Sequence, residues 1–357
     1  MRRVAVSNAK PGMTVARAVF DTRGHIVHGE GDKLTLDNLG LLIRSGAAEI
    51  LIEDPRVADV LVGSLFSPHL EAKAVQALSI LLALQQGSTE GVRAQDLIGI
   101  ESVVHHMAKR LFPNVLGDPE LSGLTSTQAY DTIHPVKVAG LSMLVGRHAG
   151  LEEADIVKLG LACMLENLGN LAVPQAILEK QGSLTDDEWQ QVHRHPKESV
   201  TMLADSGLDP KVIEAIEQHH ERWSGSGYPD GRKGEEIAPF ARIIALADTY
   251  HALLSARPYR PGFKPHEAAE FIVAYSGDAF DPELTRIFAR RVPQYPAGLG
   301  VRLSTGEVGI ISNPNAGHIA RPIVRICFDN GNVVDEPYDL DLSERKCMNK
   351  LVVEVLL

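Results

Sequence analysis

The chain has 357 residues, of which 44% are hydrophobic and 23% charged, with a formal net charge of -11 at pH 7. This is an ordinary globular balance with enough chain for two or three domains, and the negative charge disfavours bulk attraction to DNA or an anionic membrane, leaving only a local basic pocket to hold a phosphate. There is no run of about eighteen apolar residues, and the start Met1-Arg2-Arg3-Val4-Ala5-Val6-Ser7-Asn8 lacks the apolar stretch of a secretion signal, so a cytoplasmic protein that does not enter a membrane is expected.

From Val4 to about Pro55 the pattern is mixed. Pro11-Gly12-Met13 and Thr22-Arg23-Gly24-His25 read as turns around a short strand containing Val15, Val19 and Phe20. Thr35 is placed to cap a helix that ends near Ser45-Gly46, and Glu49-Ile50-Leu51-Ile52-Glu53 reads as another strand. This small α/β module carries no catalytic constellation, and His25 and His28 read as solvated loop histidines. From Leu70 to about Leu111 apolar residues recur at helical spacing, first Leu78, Ile80, Leu81 and Leu84, then Ile98, Ile100, Val103, Val104 and Met107. His105-His106 in that second run has no glycine loop after it and reads as a helix surface pair.

From Thr125 to about Arg291 nearly everything reads as helical, with breaks at Gly150, Gly182 and Gly207 and in a glycine-rich loop after His220. Tyr295-Pro296-Ala297-Gly298 marks a boundary. Beyond it, Val308-Gly309-Ile310-Ile311, Ile323 to Cys327 and Val352 to Val355 are short β-rich runs separated by turn residues, which predicts a small antiparallel β module.

The chemistry concentrates at His219-His220 and the loop through Ser224-Gly225-Ser226-Gly227-Tyr228-Pro229. Neutral imidazole is a common transition-metal ligand, and glycine lets a backbone approach a ligand closely. Taken alone, such a doublet is more often two surface histidines before a turn. Other ligand types occur where helices begin or end: His134, Glu166, His195 and Asp248. Spread over five helices, they are able to converge inside a bundle. Asp248 ends the apolar run Ala241 to Ala247 and needs a partner there, a metal or a histidine. Cys163, Cys327 and Cys347 are odd in number and far apart, so neither a disulfide framework nor a thiolate zinc site is indicated, and any metal rests on nitrogen and oxygen.

The run from His219 through Gly227-Tyr228-Pro229, then Glu236-Ile237-Ala238-Pro239, Ala241-Arg242-Ile243, Ala247-Asp248 and Arg257-Pro258-Tyr259-Arg260, resembles the HD-GYP family. The resemblance extends back through His195-Pro196, Val173-Pro174, Ile177-Leu178 and Lys180 to His134, and forward to Phe280-Asp281-Pro282. It implies a helical HD-type phosphohydrolase fold and a bacterial metal-dependent phosphodiesterase that linearises cyclic di-GMP. The fold class expected is therefore mainly α: a helical HD-type bundle at 121–295, preceded by an α/β regulatory module at 1–65 and a helical linker at 66–120, and followed by a β module at 296–357. The resemblance also implies metal ligands at His134, the pair 166 and 167, His195, His219, His220 and Asp248.

The chain departs from that pattern where the family has a His-Asp doublet followed by glycine and lysine, for it reads Glu166-Asn167-Leu168-Gly169-Asn170. Tyr130 stands where a third-metal subgroup has glutamate, which argues against a trinuclear site. In the family the doublet aspartate bridges two metals and helps hold the attacking hydroxide, and a neutral asparagine amide is a weaker bridge. Glu166 keeps the ligand charge but moves it. One position retains His134, Glu166 and Asp248, and the other retains His195, His219 and His220, a sufficient set for one zinc-like or iron-like ion. The expectation is one well-held divalent transition metal (Fe, Mn or Zn) on the three histidines, with a second ion as the alternative. Losing a cation that stabilises transition-state charge, as at Asn170, costs roughly two to three orders of magnitude in rate.

Arg257 and Arg260 are candidate phosphate contacts, with a structural ion pair as the alternative for each. Gly227 and Tyr228 are candidate substrate contacts, Tyr228 either stacking on a base or sealing the loop. His251 replaces a residue that is acidic in the family and reads as supporting or solvated rather than as a ligand, and Cys163 reads as a core residue. Three functions follow: a degenerate HD-GYP protein that binds cyclic di-GMP or a related dinucleotide and cuts it weakly or not at all; an active phosphodiesterase with an unusual centre using Glu166; or an interaction module whose glycine loop meets a partner protein. The linker helices are a candidate surface for pairing two chains.

Overall fold

The computed structural model describes residues 1–21, 25–44, 47, 49–112, 130–255, 262–315 and 318–356. The N-terminal segment contains β1 (Arg2–Ala5), β2 (Val19–Phe20), β3 (Ile26–His28), helix α1 (Leu36–Arg44) and β4 (Glu49–Ile52), with β1 antiparallel to β4 and β2 antiparallel to β3. Thr35 and Asn38 close the start of α1 reciprocally: Asn38 N donates to Thr35 Oγ1 at 3.3 Å, and Thr35 N donates to Asn38 Oδ1 at 2.7 Å. Val4, Val15, Leu34, Leu42, Ile50 and Ile52 form the core of this segment. His28 corrects the solvated-loop reading. It lies in β3, is buried, and has Nε2 3.3 Å from the carbonyl of Asn38, because the strand turns that side chain toward α1. His25 is exposed beside Asp21.

Helices α2 (Pro68–Gln85) and α3 (Ala94–Leu111) pack against each other. Leu78, Leu81, Ile100, Val103, Val104 and Met107 are buried, whereas Ile80, Leu84 and Ile98 are exposed. Apolar type alone overestimated the buried stripe, since residues two apart on a helix point to different sides. Next comes α4 (Tyr130–His148), buried without interruption from Ile133 to Gly146, which makes it the central rod of the bundle. Around it lie α5 (Glu153–Leu165), the short α6 (Gln175–Leu178), α7 (Asp186–Val192), α8 (His195–Met202), α9 (Pro210–Gln218), α10 (Pro239–Leu254), α11 (Pro265–Ala274) and α12 (Pro282–Arg291). Prolines at the first turns of α9, α10, α11 and α12 start these helices where a missing N–H costs least.

The C-terminal strands β5 (Gly300–Leu303), β6 (Val308–Asn313), β7 (Ile323–Asp329), β8 (Asn332–Asp341) and β9 (Val352–Leu356) form one antiparallel sheet in the order β8-β7-β6-β5-β9. The molecule is thus mainly helical, with a small sheet-containing segment at each end. The two ends meet: Arg3 N donates to Gly298 O at 2.8 Å, and Leu51, Val57, Val60 and Val62 share a core with Ala297, Ile310 and Cys327. Gly298 sits at φ +79°, and a Cβ there would lie 2.9 Å from Val62 Cγ2, so only glycine allows the approach. Among the described residues no helix is long and apolar enough to cross a membrane.

Candidate metal centre

The structure brings the six candidate ligands together as two triads. His195, His219 and His220 form one, and His134, Glu166 and Asp248 the other, each with ligand atoms within 4.8 Å of one another. Helix termini supply most of them: His195 opens α8, His219 follows the last residue of α9, and Glu166 follows the last residue of α5. His134 lies in the second turn of α4, and Asp248 in the second half of α10.

In the histidine triad, His195 Nδ1 is 2.7 Å from Val192 O and His219 Nδ1 is 2.7 Å from Ile216 O. A carbonyl only accepts, so each Nδ1 carries the proton and each Nε2 presents a lone pair. These two Nε2 atoms face each other at 3.3 Å. Two lone pairs at that distance repel unless a proton or a cation lies between them. A proton is disfavoured: His219 is pushed down to about 3 by burial and by His195, while burial also lowers His195 and takes His220 well below the usual imidazole range. Neutral histidines with converging lone pairs are the form that binds a metal, so this set fits a divalent ion.

The second triad holds two carboxylates in opposite states. Burial raises Asp248, but a hydrogen bond from His134 at 2.8 Å and the fields of His134, His220 and His219 outweigh it and hold its carboxyl well below the usual range. Glu166 is fully buried and driven well above its ordinary value, first by burial and then by Asp248. Its Oε2 has no hydrogen-bond partner among the described residues. A buried carboxylate oxygen without a donor is costly unless it is protonated or faces a cation, so this set also fits a metal. Asp248 joins the triads, with Oδ1 on His134 and Oδ2 3.9 Å from His220 Nδ1. His251 is buried, its Nδ1 2.8 Å from His134 Nδ1, so it packs against that candidate ligand. Tyr130 stacks on His134 with centroids 4.4 Å apart. Cys163 is buried in the core, and burial raises its thiol well above the usual range.

Around Glu166-Asn167 the amides bond to one another. Asn170 Nδ2 donates to Asn167 Oδ1 at 3.4 Å, and Asn167 Nδ2 donates to Glu166 Oε1 at 3.3 Å. The turn Leu168–Ala172 lies flat on the start of α8: Gly169 N donates to Ser199 Oγ at 2.8 Å, and Ser199 Oγ donates to Glu166 O at 2.9 Å. A Cβ at Gly169 would fall 2.1 Å from His195 O, so glycine fixes the spacing of Glu166 and His195.

The glycine loop is equally tight. A Cβ at Gly227 would meet His220 O at 2.5 Å, and Tyr228 N donates to that same carbonyl at 3.2 Å. Tyr228 stacks on His193 with centroids 3.9 Å apart and lies 4.7 Å from His220, which places its ring beside the histidines. Sequence reasoning passed over Glu221, Ser199 and His193. Glu221 is buried and accepts from the backbone N–H groups of Asp230, Gly231 and Arg232 at 2.8, 3.1 and 3.0 Å, so it shapes the whole loop. Its place between the histidine doublet and the glycines was the available signal. Arg257 and Arg260 lie outside the described residues.

The HD domain family profile matches residues 115–284, the segment that carries both triads. This segment is an HD domain. This HD domain chain is 35% identical over 242 residues to the cyclic di-GMP phosphodiesterase PA4108 of Pseudomonas aeruginosa, covering 67% of this chain and 58% of that protein. It is 39% identical over 150 residues to the cyclic di-GMP phosphodiesterase response regulator RpfG of Xanthomonas campestris, covering 41% and 39% of the two chains. A 3'3'-cGAMP-specific phosphodiesterase 3 of Vibrio cholerae is 34% identical over 154 residues, 43% of this chain and 34% of that one. The chain therefore spans about half or less of the length of these relatives. Among solved structures, Bd1817, a HDG"Y"P protein from Bdellovibrio bacteriovorus, shares the fold at a TM-score of 0.50 and 14% identity, over 80% of this chain and 97% of that one.

Proposed function

We propose that this HD domain acts in the cytoplasm as a signalling protein: it holds a divalent transition metal on His195, His219 and His220 and takes up cyclic di-GMP or 3'3'-cGAMP, with slow or absent cleavage. The substrates named for its relatives support the ligand class. The observation that carries the reading is the state of the altered doublet. Asn167 is engaged on one side by Asn170 and on the other by Glu166, and neither amide supplies the charge of an aspartate or a lysine. The histidine triad is complete beside it.

A bound ion supplies Lewis-acid polarisation of a phosphoryl oxygen. The chain's own groups do the rest. Asp248 balances positive charge between the triads, Glu221 sets the loop, and Tyr228 covers the histidines from water. At the positions where the family has an aspartate and a lysine, Asn167 and Asn170 supply neither an anion beside the reacting phosphate nor a cation to receive developing charge. One observation favours an active enzyme as the second reading: the unpartnered Oε2 of Glu166 is a buried acceptor in the His134 and Asp248 triad, where it is able to complete an unusual ligand set.

Cleavage of cyclic di-GMP and 3'3'-cGAMP with saturating manganese or iron, measured beside metal content and dinucleotide affinity, separates these readings. Binding with negligible turnover supports the proposal. Turnover that disappears in His219→Ala supports the active enzyme. Absence of both metal and dinucleotide leaves an interaction module whose loop meets a partner protein. Glu166→His with Asn167→Asp and Asn170→Lys should raise cleavage if the altered doublet is the cause of the deficit.

A further inference from the structure

Away from the metal centre, the two terminal segments enclose a half-open cleft of about 150 Å³, lined among others by Arg2, Arg3, Arg56, Gly309, Phe328 and Leu356. Three arginines and, among the described residues, no Asp or Glu line it, on a chain whose net charge is -11. Asp54 serves two arginines: Arg56 Nε and Nη2 donate to it at 2.9 and 2.6 Å, and Arg2 Nε stands 2.9 Å away. Asp54 is thus shared by two of the lining arginines. Arg3 is paired with Glu49 and donates from Nε to Ala297 O at 3.2 Å.

Arg2 is the under-used group. Its Nε is buried without a hydrogen bond, because the approach to Asp54 is close but misaligned, and 30% of the side chain remains exposed. Beside it Arg56 sits over the ring of Phe328, 5.4 Å from its centroid, and Leu356 and Ile310 extend an apolar wall. Guanidinium groups pair with planar or tetrahedral oxyanions in a two-pronged geometry. A cleft of this volume is below the roughly 300–1,000 Å³ of sites that enclose larger ligands, so a dinucleotide does not fit it.

We propose that this cleft binds a small organic oxyanion, a phosphoryl or carboxylate group on a short apolar body, with Arg2 and Arg56 on the charge and Phe328 and Leu356 against the body. Such a ligand bridges the first strand of the chain to the C-terminal sheet, so its occupancy stiffens the junction of the two ends.

The test is calorimetric titration of the full metal-loaded chain with inorganic phosphate, propyl phosphate and butyrate. One-to-one binding of a phosphate or of butyrate is expected, strongest for a probe with an apolar body and weakening as salt rises. Arg2→Met should weaken it by about tenfold or more, the usual effect of losing a charge-assisted contact of about 1.5–3 kcal/mol. Arg56→Gln should do the same and covers the case in which Arg2→Met disturbs its strand. His219→Ala, which perturbs the metal centre and not the cleft, should leave butyrate binding unchanged, as should Arg302→Met on the exposed part of the same sheet. Failure of all three probes at millimolar concentration overturns the proposal. So does binding that survives both arginine variants, or binding that follows His219.

Discussion

Lys137 and Glu71 form an ion pair inside the molecule, with side chains only 2% and 7% exposed and Nζ 3.0 and 3.1 Å from the two carboxylate oxygens. The pair joins α2 to α4 one turn beyond His134. Lys137→Met removes one charge and leaves the other in a site with little water, for which the expected loss is about 3–5 kcal/mol. Replacing both partners, Lys137→Met with Glu71→Leu, removes the uncompensated charge, so that variant should recover to within about 1 kcal/mol of the parent or exceed it. Urea unfolding followed by fluorescence and by far-UV circular dichroism gives the two numbers, and native-state hydrogen exchange of α2 and α4 locates the loss. Because the pair lies beside His134, the single variant should also reduce occupancy of the His134, Glu166 and Asp248 triad while sparing the histidine triad. A single variant within about 1 kcal/mol of the parent, or a double variant as unstable as the single one, refutes the reasoning.

Glu166→Gln keeps shape and removes a charge from the carboxylate triad. It should leave an ion on the histidines and abolish any weaker second ion, as read by elemental analysis after dialysis; a second ion that persists contradicts the ligand role. Gly227→Ala forces a methyl to within 2.4 Å of Arg222 N, so the loop must shift, with a stability loss of about 1–3 kcal/mol and weaker dinucleotide binding; an unchanged affinity speaks against the loop as a binding element. Asp54 is raised by burial but held below the usual carboxylate range overall by the hydrogen bonds and charge of Arg56, with Arg2 assisting. A depressed folded value stabilises above the unfolded one, near 3.9, and is lost as pH falls through the folded value. Below about pH 4 the amides of β1 and β4 should therefore exchange faster while those of α4 hold, and equal acceleration in both places counts against this assignment.

Much of the architecture was legible because burial follows residue type in helices such as α4, whose interior positions are apolar for several turns. The same logic missed β5 and β8. The strand β8 reads Asn332-Val333-Val334-Asp335-Glu336-Pro337-Tyr338-Asp339-Leu340-Asp341, an edge strand mostly open to solvent, so its charges carry no penalty and no alternation survives. At the site, the histidines were visible as ligand types, whereas Glu221 looked like any surface acid. Its burial is set by three backbone amides 9 to 11 residues later, a relation that no local pattern records. Ser199 escaped for the same reason, since its role depends on Gly169 being 30 residues away in sequence and in contact in space.

The two triads differ in what they need from a cation. Among the histidines the need is geometric, since two lone pairs point at one another and any ion with affinity for imidazole relieves them. In the other triad it is electrostatic: Asp248 Oδ1 is already served by His134, whereas the buried Oε2 of Glu166 has no donor among the described residues. Binding asks that either need be met. Hydrolysis asks for both at once, with an anion placed between the ions and a cation at the leaving charge. The resemblance to the HD-GYP pattern assigns the bridging anion to the position of Asn167, a neutral amide that bonds to Glu166 and Asn170. On the proposed function, Asn167 and Asn170 stand where that coupling charge is needed, so dinucleotide binding is expected to survive where cleavage does not.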